Sequence, residues 1–372
     1  MEIILKTLQG LEEVLAEEVK SLGGKEVETL RRAVRCEGDL RLIYKLNLHS
    51  RLALSVLTPI DKWRAMNYTD IYDGARQIRW SDHMKPTDTF ALRANSHSEF
   101  FKNTMYALQR VKDGIVDRAR SAHGSRPSVD KDDPDLWLNL HIYEDQAQIL
   151  WNTTGAPLFY RGYEKQRGIA PINEVLAAGI IALSGWTPEM NVYDPMCGSG
   201  TFVLETGARA SAMASQRHRA HFHFMNHPTY DSKLWAEVRA EQVGTAVTGS
   251  KIYASDIDPE AIDNIQSNLN HSKLLTDHHV WKSDFFKIYL GAEPGWVFMN
   301  PPYNERLSLE QSVGWHMSVG KILRERYGGW KVCIMSGDRD ALKHVGLKPD
   351  RKIQLVNGSI PIDVFFISMF DR

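Results

Sequence analysis

Two rhythms of apolar and polar positions divide the chain near its middle. In the first part, Glu2–Lys6 is a short apolar run. Leu11, Val14, Leu15 and Val19 then recur at helical spacing with acids between them. Gly23 and Gly24 stop that helix, and Val27–Cys36 reads as extended. Leu40, Ile43, Tyr44, Leu46 and Leu48 predict a second helix. A further mixed unit follows, with a helix over Tyr68–Ile78 and a strand over Thr89–Asn95. Its strongest helix runs Thr104–Ala119, with Tyr106, Leu108, Val111, Ile115 and Val116 on the apolar side. Beyond a polar break from Ser125 to Asp135 lie two predicted strands, Leu136–Tyr143 and Ala147–Asn152.

The second part has a different grammar. A helix is predicted over Ile172–Ser184. Short apolar runs then alternate with helix patterns: Val192–Asp194, Lys251–Ser255, His279–Trp281, Gly295–Met299, Lys331–Met335 and, at the end, Val364–Met369. Such alternation predicts a mainly parallel sheet covered on both faces. The domain boundary is placed between residues 155 and 170.

Composition changes this picture only in part. The charged fraction is 24% with a net charge of −1, which excludes a uniformly basic nucleic-acid coat but not a local basic face. From Arg51 to Lys131 there are 14 Lys and Arg against 9 Asp and Glu, so that stretch is locally basic. Lys102, Lys112 and Arg126 there, and Arg161 in the connector, are candidate RNA contacts. Phe100, Phe101 and Tyr106 add aromatic faces. Three cysteines without a CxxC pair make no disulfide framework. No signal peptide or membrane-length apolar run is visible, so a cytoplasmic protein is expected. His218, His221, His223 and His227 crowd one stretch, but their spacing fits no familiar metal site; a polar surface loop and no metal are expected.

The candidate chemistry begins at Asp194-Pro195-Met196-Cys197-Gly198-Ser199-Gly200-Thr201. This reads as a strand end, a glycine turn and a helix start. An acid at the strand end would repel a pyrophosphate, yet it suits the amino group and sulfonium of S-adenosylmethionine. A nicotinamide-binding turn would need a third glycine where Val203 stands. Asp256, ending the next strand, is placed to accept ribose hydroxyls, with Ile257 beside it. Asp258 before Pro259 reads as a helix cap. Asp284 ends a third strand and could bind an adenine amine, with Phe285 against the ring. Cys197 lies in the turn and reads as a packing residue.

A second motif, Asn300-Pro301-Pro302-Tyr303, follows the strand Gly295–Met299. Two prolines remove two N–H donors and leave carbonyls free to accept. The Asn300 side-chain oxygen and the Pro301 carbonyl can both accept from one exocyclic NH2, drawing its lone pair out of conjugation. Tyr303 offers a stacking face for a flipped base.

These motifs, in this order, resemble those of the amino-group methyltransferases of nucleic acids. With GLEEVLAEEV, VKDGIVDR, RPSVD, FYRGY and AAGIIALSGW, the whole chain is similar to the bacterial 23S ribosomal RNA guanine-N2 methyltransferases that carry a THUMP domain. The resemblance implies an α/β fold: a Rossmann-like class I S-adenosylmethionine-dependent methyltransferase domain behind an α+β ferredoxin-like and THUMP RNA-binding region. The expected divisions are 1–55 (ferredoxin-like), 56–155 (THUMP), 156–190 (connector and helix) and 191–372 (catalytic). It also implies that residues 194–201 bind the cofactor and residues 300–303 hold the target base. Asn304 stands where the family carries glycine, and a second methyltransferase domain, common in the family, is absent from this sequence. The expected reaction is N2 methylation of a guanine in 23S ribosomal RNA. The alternatives are guanine-N2 methylation of transfer RNA, adenine-N6 methylation, or a non-catalytic assembly role.

Overall fold

The computed structural model describes residues 1–124, 126–163, 172–247, 249–301, 309–338 and 340–370. Its first half contains β1 (Glu2–Lys6), α1 (Glu12–Ser21), β2 (Lys25–Leu30), β3 (Ala33–Glu37), α2 (Leu40–His49), β4 (Ser55–Arg64), α3 (Tyr68–Gln77), β5 (Thr89–His97), α4 (Thr104–His123), β6 (Ser128–Val129), β7 (Leu136–Tyr143) and β8 (Gln146–Asn152). The strands form one sheet in the order β2-β3-β1-β4-β8-β7-β5-β6. Leu57 on β4 faces Ile4 on one side and Asn152 on the other, so the two N-terminal units share a continuous sheet. The extended run expected over Val27–Cys36 is instead a hairpin: Arg32 takes a left-handed φ of 57° and folds β3 back on β2. Helix starts follow capping chemistry. Asn67 and Asp70 form a capping box on α3, and the Asp39 side chain accepts from the Leu42 N–H on α2.

The second half contains α5 (Glu174–Ser184), β9 (Asn191–Asp194), α6 (Thr201–Ala210), α7 (Ser232–Ala240), β10 (Lys251–Asp256), α8 (Pro259–Ser272), β11 (Asp277–Lys282), β12 (Gly295–Met299), α9 (Leu309–Arg326), β13 (Lys331–Ser336), β14 (Arg351–Asn357) and β15 (Ile360–Ser368). The sheet order is β11-β10-β9-β12-β13-β15-β14, with β15 antiparallel to both neighbours. Apolar cores lie on both faces. One gathers Val175, Leu176, Ile180 and Phe202 against Val192 and Phe298; the other gathers Val319 and Leu323 against Val297 and Ile334. The chain runs outward from β9 to β10 and β11, then crosses back to β12 and β13. The crevice between β9 and β12 is therefore the topological switch point, where α/β sheets bind ligands.

The histidine-rich stretch between α6 and β10 is not the polar surface loop that its composition predicts. Phe222, Phe224, Trp235 and Val238 are buried in the N-terminal core. The ring centroid of Tyr44 on α2 lies 4.4 Å from that of Phe224 and 5.7 Å from that of Trp235. His223 and His227 are buried too, and His227 stacks on Trp151 at 4.0 Å. Burial holds both imidazoles down at about 4, hence neutral at neutral pH. Gly155, at φ 83°, lets the main chain pass under His223; a Cβ there would lie 2.3 Å from the ring.

The two halves meet on a buried carboxylate. Arg161 is 1% exposed, and its Nε donates to Glu205 Oε1 on α6 at 3.0 Å. Its two terminal nitrogens donate to the carbonyls of Leu158 and Arg51, at 2.8 and 2.6 Å. The Tyr163 hydroxyl donates to the same Glu205 oxygen at 2.9 Å, and Arg51 reaches Oε2 at 3.5 Å. The expected phosphate contact by Arg161 is thereby corrected: its guanidinium is enclosed and its donors are spent on the junction. Breaking one side of such a pair strands a buried charge. Arg161→Met should lower the unfolding free energy by about 3–5 kcal/mol, measured by denaturant titration. Arg161→Met combined with Glu205→Met should recover most of that loss.

Candidate functional site

The crevice is built from strand ends. β9 stops at Asp194, and α6 begins at Thr201 with Gly200 as its N-cap at φ 93°. A Cβ on Gly200 would come within 2.5 Å of Ile265 on α8, so only glycine allows that packing. Gly198 also has a left-handed φ, 52°, but a Cβ there would point into open space. The loop is tied down on one side and open on the other. Cys197 N–H donates to the Ser255 carbonyl at 3.1 Å, Gly198 N–H to Asp256 Oδ2 at 2.9 Å, and Asn268 Nδ2 to the Ser199 carbonyl at 3.1 Å. Pro195, Ser199 and Thr201 are buried within it.

Two carboxyls face the loop at different depths. Asp194 is buried and accepts one main-chain bond, from Met196 N–H at 3.2 Å. Burial, reinforced by the charge of Asp256, pushes its carboxyl up to about 8. Asp256 is half-buried and accepts from Gly198 N–H and, at 3.0 Å, from Asp258 N–H. Its neighbour Ile257 is 65% exposed, an apolar side chain held against solvent beside the loop. Asp258 caps α8 ahead of Pro259, as the spacing predicts. Asp284 Oδ1 accepts from Phe286 N–H at 3.0 Å, with Lys287 4.0 Å away.

One sequence expectation changes here. Phe285 is buried and its ring lies 5.9 Å from that of Tyr327, so its face is covered by the core and not free for an adenine. Cys197 is buried and its thiol is pushed well above the ordinary value, by burial first and then by Asp194; it stays protonated and packs.

Across the crevice, β12 runs parallel to β9, with Val297 opposite Tyr193, and delivers Asn300 immediately after its last residue. The Asn300 Oδ1 is buried and accepts no hydrogen bond among the described residues. Buried acceptors left without a donor are rare and costly, which marks this one as waiting for a donor from outside. Pro301 is buried beside it; Pro302 and Tyr303 lie outside the described residues. Asn268, which fixes the loop from α8, carries no local signal in the sequence.

The basic residues of the first half are spread out. Lys102 precedes α4 and lies 3.9 Å from Glu99; Lys112 is on α4, 3.2 Å from Asp113. Arg126 follows α4 and is exposed. A helix of that length spans about 30 Å, so these cations do not gather at a point. Among the described residues no cluster of three or more His, Cys, Asp or Glu side chains gathers as a metal site, and no helix is long and apolar enough to cross a membrane.

The raised Asp194 carboxyl has a stability consequence. Between about pH 4 and pH 8 the folded state keeps a proton that the unfolded state has lost. Stability must therefore fall as pH rises through that window, by at most about 1.4 kcal/mol per unit, and level off above it. Asp194→Asn keeps the Met196 bond and removes the titration. It should raise the melting temperature at pH 8–9 and flatten the profile below; calorimetric scans across pH check this.

Comparison with known proteins agrees with this architecture. The profile of the RMKL-like methyltransferase domain matches residues 161–364, that of the RlmL ferredoxin-like domain residues 2–57, and that of the THUMP domain residues 65–151. A Synechocystis sp. protein named "Putative RNA methyltransferase slr0064" is 33% identical over 360 residues, covering 95% of this chain and 93% of its own. The crystal structure of SMU.472 complexed with SAH superposes with a TM-score of 0.88 at 25% identity, over 100% of this chain and 98% of the other. A possible methylase from Clostridium difficile 630 gives 0.89 at 27%, with the same coverage. The paired acids and open glycine turn thus sit on a scaffold that uses S-adenosylmethionine. The chain belongs to the RMKL-like methyltransferases, as a THUMP-bearing nucleic-acid methyltransferase with a ferredoxin-like segment at its front.

Proposed function

We propose that the protein methylates the exocyclic N2 amine of a guanine in 23S ribosomal RNA. The observation that carries this reading is the buried, unpartnered Asn300 Oδ1 at the mouth of the β9–β12 crevice. An amine that donates to this oxygen and to the Pro301 carbonyl is held with its lone pair turned out of the base ring. Nothing stronger than water is then needed as a base, because the nitrogen sheds its proton after it has gained the methyl group and become cationic. Holding the amine in that attitude supplies much of the rate by orientation alone.

The cofactor side fits this role. Bound S-adenosylmethionine supplies an electrophilic methyl group on a positively charged sulfur. The open face of Gly198 leaves room for it. In this reading Asp256 takes the ribose hydroxyls, Ile257, 65% exposed, a face of the adenine, and Asp284 its amine. The Asp194 carboxyl, poised near neutrality, becomes charged when a cation arrives beside it. Ile257 takes the apolar role that buried Phe285 does not fill. The THUMP-side cations Lys102, Lys112 and Arg126 supply the track for the RNA backbone.

The test is transfer of labelled methyl to ribosomal RNA lacking the modification, followed by nucleoside analysis. The expected product is 2-methylguanosine in 23S RNA. 6-Methyladenosine, or modification of transfer RNA alone, would replace the assigned base or RNA. No transfer with cofactor bound would favour a non-catalytic assembly role. Asn300→Ala should lower kcat by about 10²-fold or more while leaving cofactor and RNA affinity largely intact. Full turnover in that variant would refute its role. Asp256→Ala should weaken cofactor binding by about 1.5–3 kcal/mol in titration calorimetry; unchanged affinity would remove Asp256 from the site.

A further inference from the structure

The glycine turn is held in an orientation that its own sequence leaves open. Gly200 sits at φ 93° because the packing of Ile265 leaves no room for a Cβ, yet glycine takes φ of either sign with similar ease. The peptide joining Ser199 to Gly200 therefore has two ways to lie: its carbonyl towards α8, or turned over and away from it. In the structure that peptide is held at both ends. Its N–H, on Gly200, donates to the Cys197 carbonyl at 2.7 Å and closes the turn from within. Its carbonyl, on Ser199, accepts from Asn268 Nδ2 at 3.1 Å, a donor that reaches in from α8, 69 residues away. The other ties of the loop, from Cys197 N–H and Gly198 N–H, hold the residues before this peptide and leave its orientation free. Asn268 is 0% exposed and Ser199 5%, so solvent is not at hand to replace the amide. A carbonyl left there without its donor would bear the cost of an unmet buried acceptor, and turning over would relieve it.

We propose that Asn268 is a positioning residue for the cofactor, selecting from α8 the one orientation of the Ser199–Gly200 peptide that gives the turn its receiving shape. Turned over, the peptide breaks the Cys197–Gly200 bond, and the turn opens. S-adenosylmethionine then binds only the fraction of molecules whose peptide lies the right way round, and its apparent affinity falls by that fraction. Fully buried, Asn268 acts through the backbone and not by touching the cofactor. This inference rests on the reading that the glycine turn receives S-adenosylmethionine. It adds to that reading the residue that keeps the turn ready before the cofactor arrives.

Asn268→Leu replaces the amide by an apolar side chain of similar size and good helix propensity, and Asn268→Ala removes it outright. Both are made in the full-length protein, so that the alanine variant carries the same readouts if the leucine variant does not fold. Titration calorimetry should show S-adenosylmethionine bound about tenfold or more weakly in each, the scale of one unmet buried acceptor. Amide exchange of the cofactor-free protein, read by mass spectrometry, should quicken over residues 197–201 as the Gly200 N–H comes free. Saturating cofactor should slow it again. In turnover, KM for the cofactor should rise more than kcat falls. A side chain that merely fills the core would lower the melting temperature and quicken exchange throughout the catalytic half with cofactor affinity unchanged; that result would overturn the proposal. Unaltered exchange over residues 197–201 would overturn it as well, whatever the affinity. Failure of the wild type to bind S-adenosylmethionine would instead sink the cofactor reading on which it rests.

Discussion

The Glu205 carboxylate sits almost wholly out of water on α6, and three segments distant in sequence converge on it: Arg51 at the end of α2, Arg161 and Tyr163 in the connector, and α6 itself. A charge in that position is tolerated because Oε1 accepts two hydrogen bonds and two guanidinium groups lie beside the carboxylate. The constraint is mutual. α6 is also the helix whose first turn follows the glycine loop, so whatever orients Glu205, about one turn further on, bears on the loop as well. The N-terminal half and the crevice are thus registered to each other through this corner, in addition to the aromatic strap. Glu18 reinforces the same corner, accepting from Ser50 Oγ and from the N–H groups of Arg51 and Leu52.

Much of this was legible before any coordinates. The parallel half announces itself by short apolar runs with acids at their ends, and β7 and β12 fall where the pattern puts them. The failures have physical reasons. β4 carries Pro59 in its middle, which reads as a break; the strand survives because the register shifts at Pro59–Asp61 and spares the missing N–H. β14, RKIQLVN, reads as polar because it is an edge strand that keeps charges outward, with Arg351 and Lys352 lying over Phe366 and Phe365 of β15. Arg161 looked like a surface cation because residue type reports charge, not enclosure. Only the fold shows where a partner such as Glu205 lies, 44 residues later.

The crevice divides its work by charge state. On the β9–β10 side are two carboxyls at different depths, Asp194 buried with its carboxyl raised and Asp256 half-buried and accepting from two N–H groups. On the β12 side stands a neutral amide with an unused acceptor. In the proposed reaction, acids at the cofactor end would attract positive charge, while an uncharged acceptor at the amine end would turn a lone pair without trapping the cation that forms there. Both ends hang from adjacent parallel strands, so their separation is set by sheet geometry and not by loop mobility.

The aromatic strap that crosses from the second half into the first has a consequence in time. Phe222, Phe224, Trp235 and Val238 complete a core whose other members are nearly all made by residue 158. At the usual ribosomal pace of about 5–20 residues per second, some 80 residues take on the order of ten seconds to follow. For that interval the part of the N-terminal core that the strap covers, around Tyr44 on α2, lacks its cover. A chaperone that shields exposed apolar surface would find its opportunity there, and synonymous codons that slow or hasten this stretch would lengthen or shorten it.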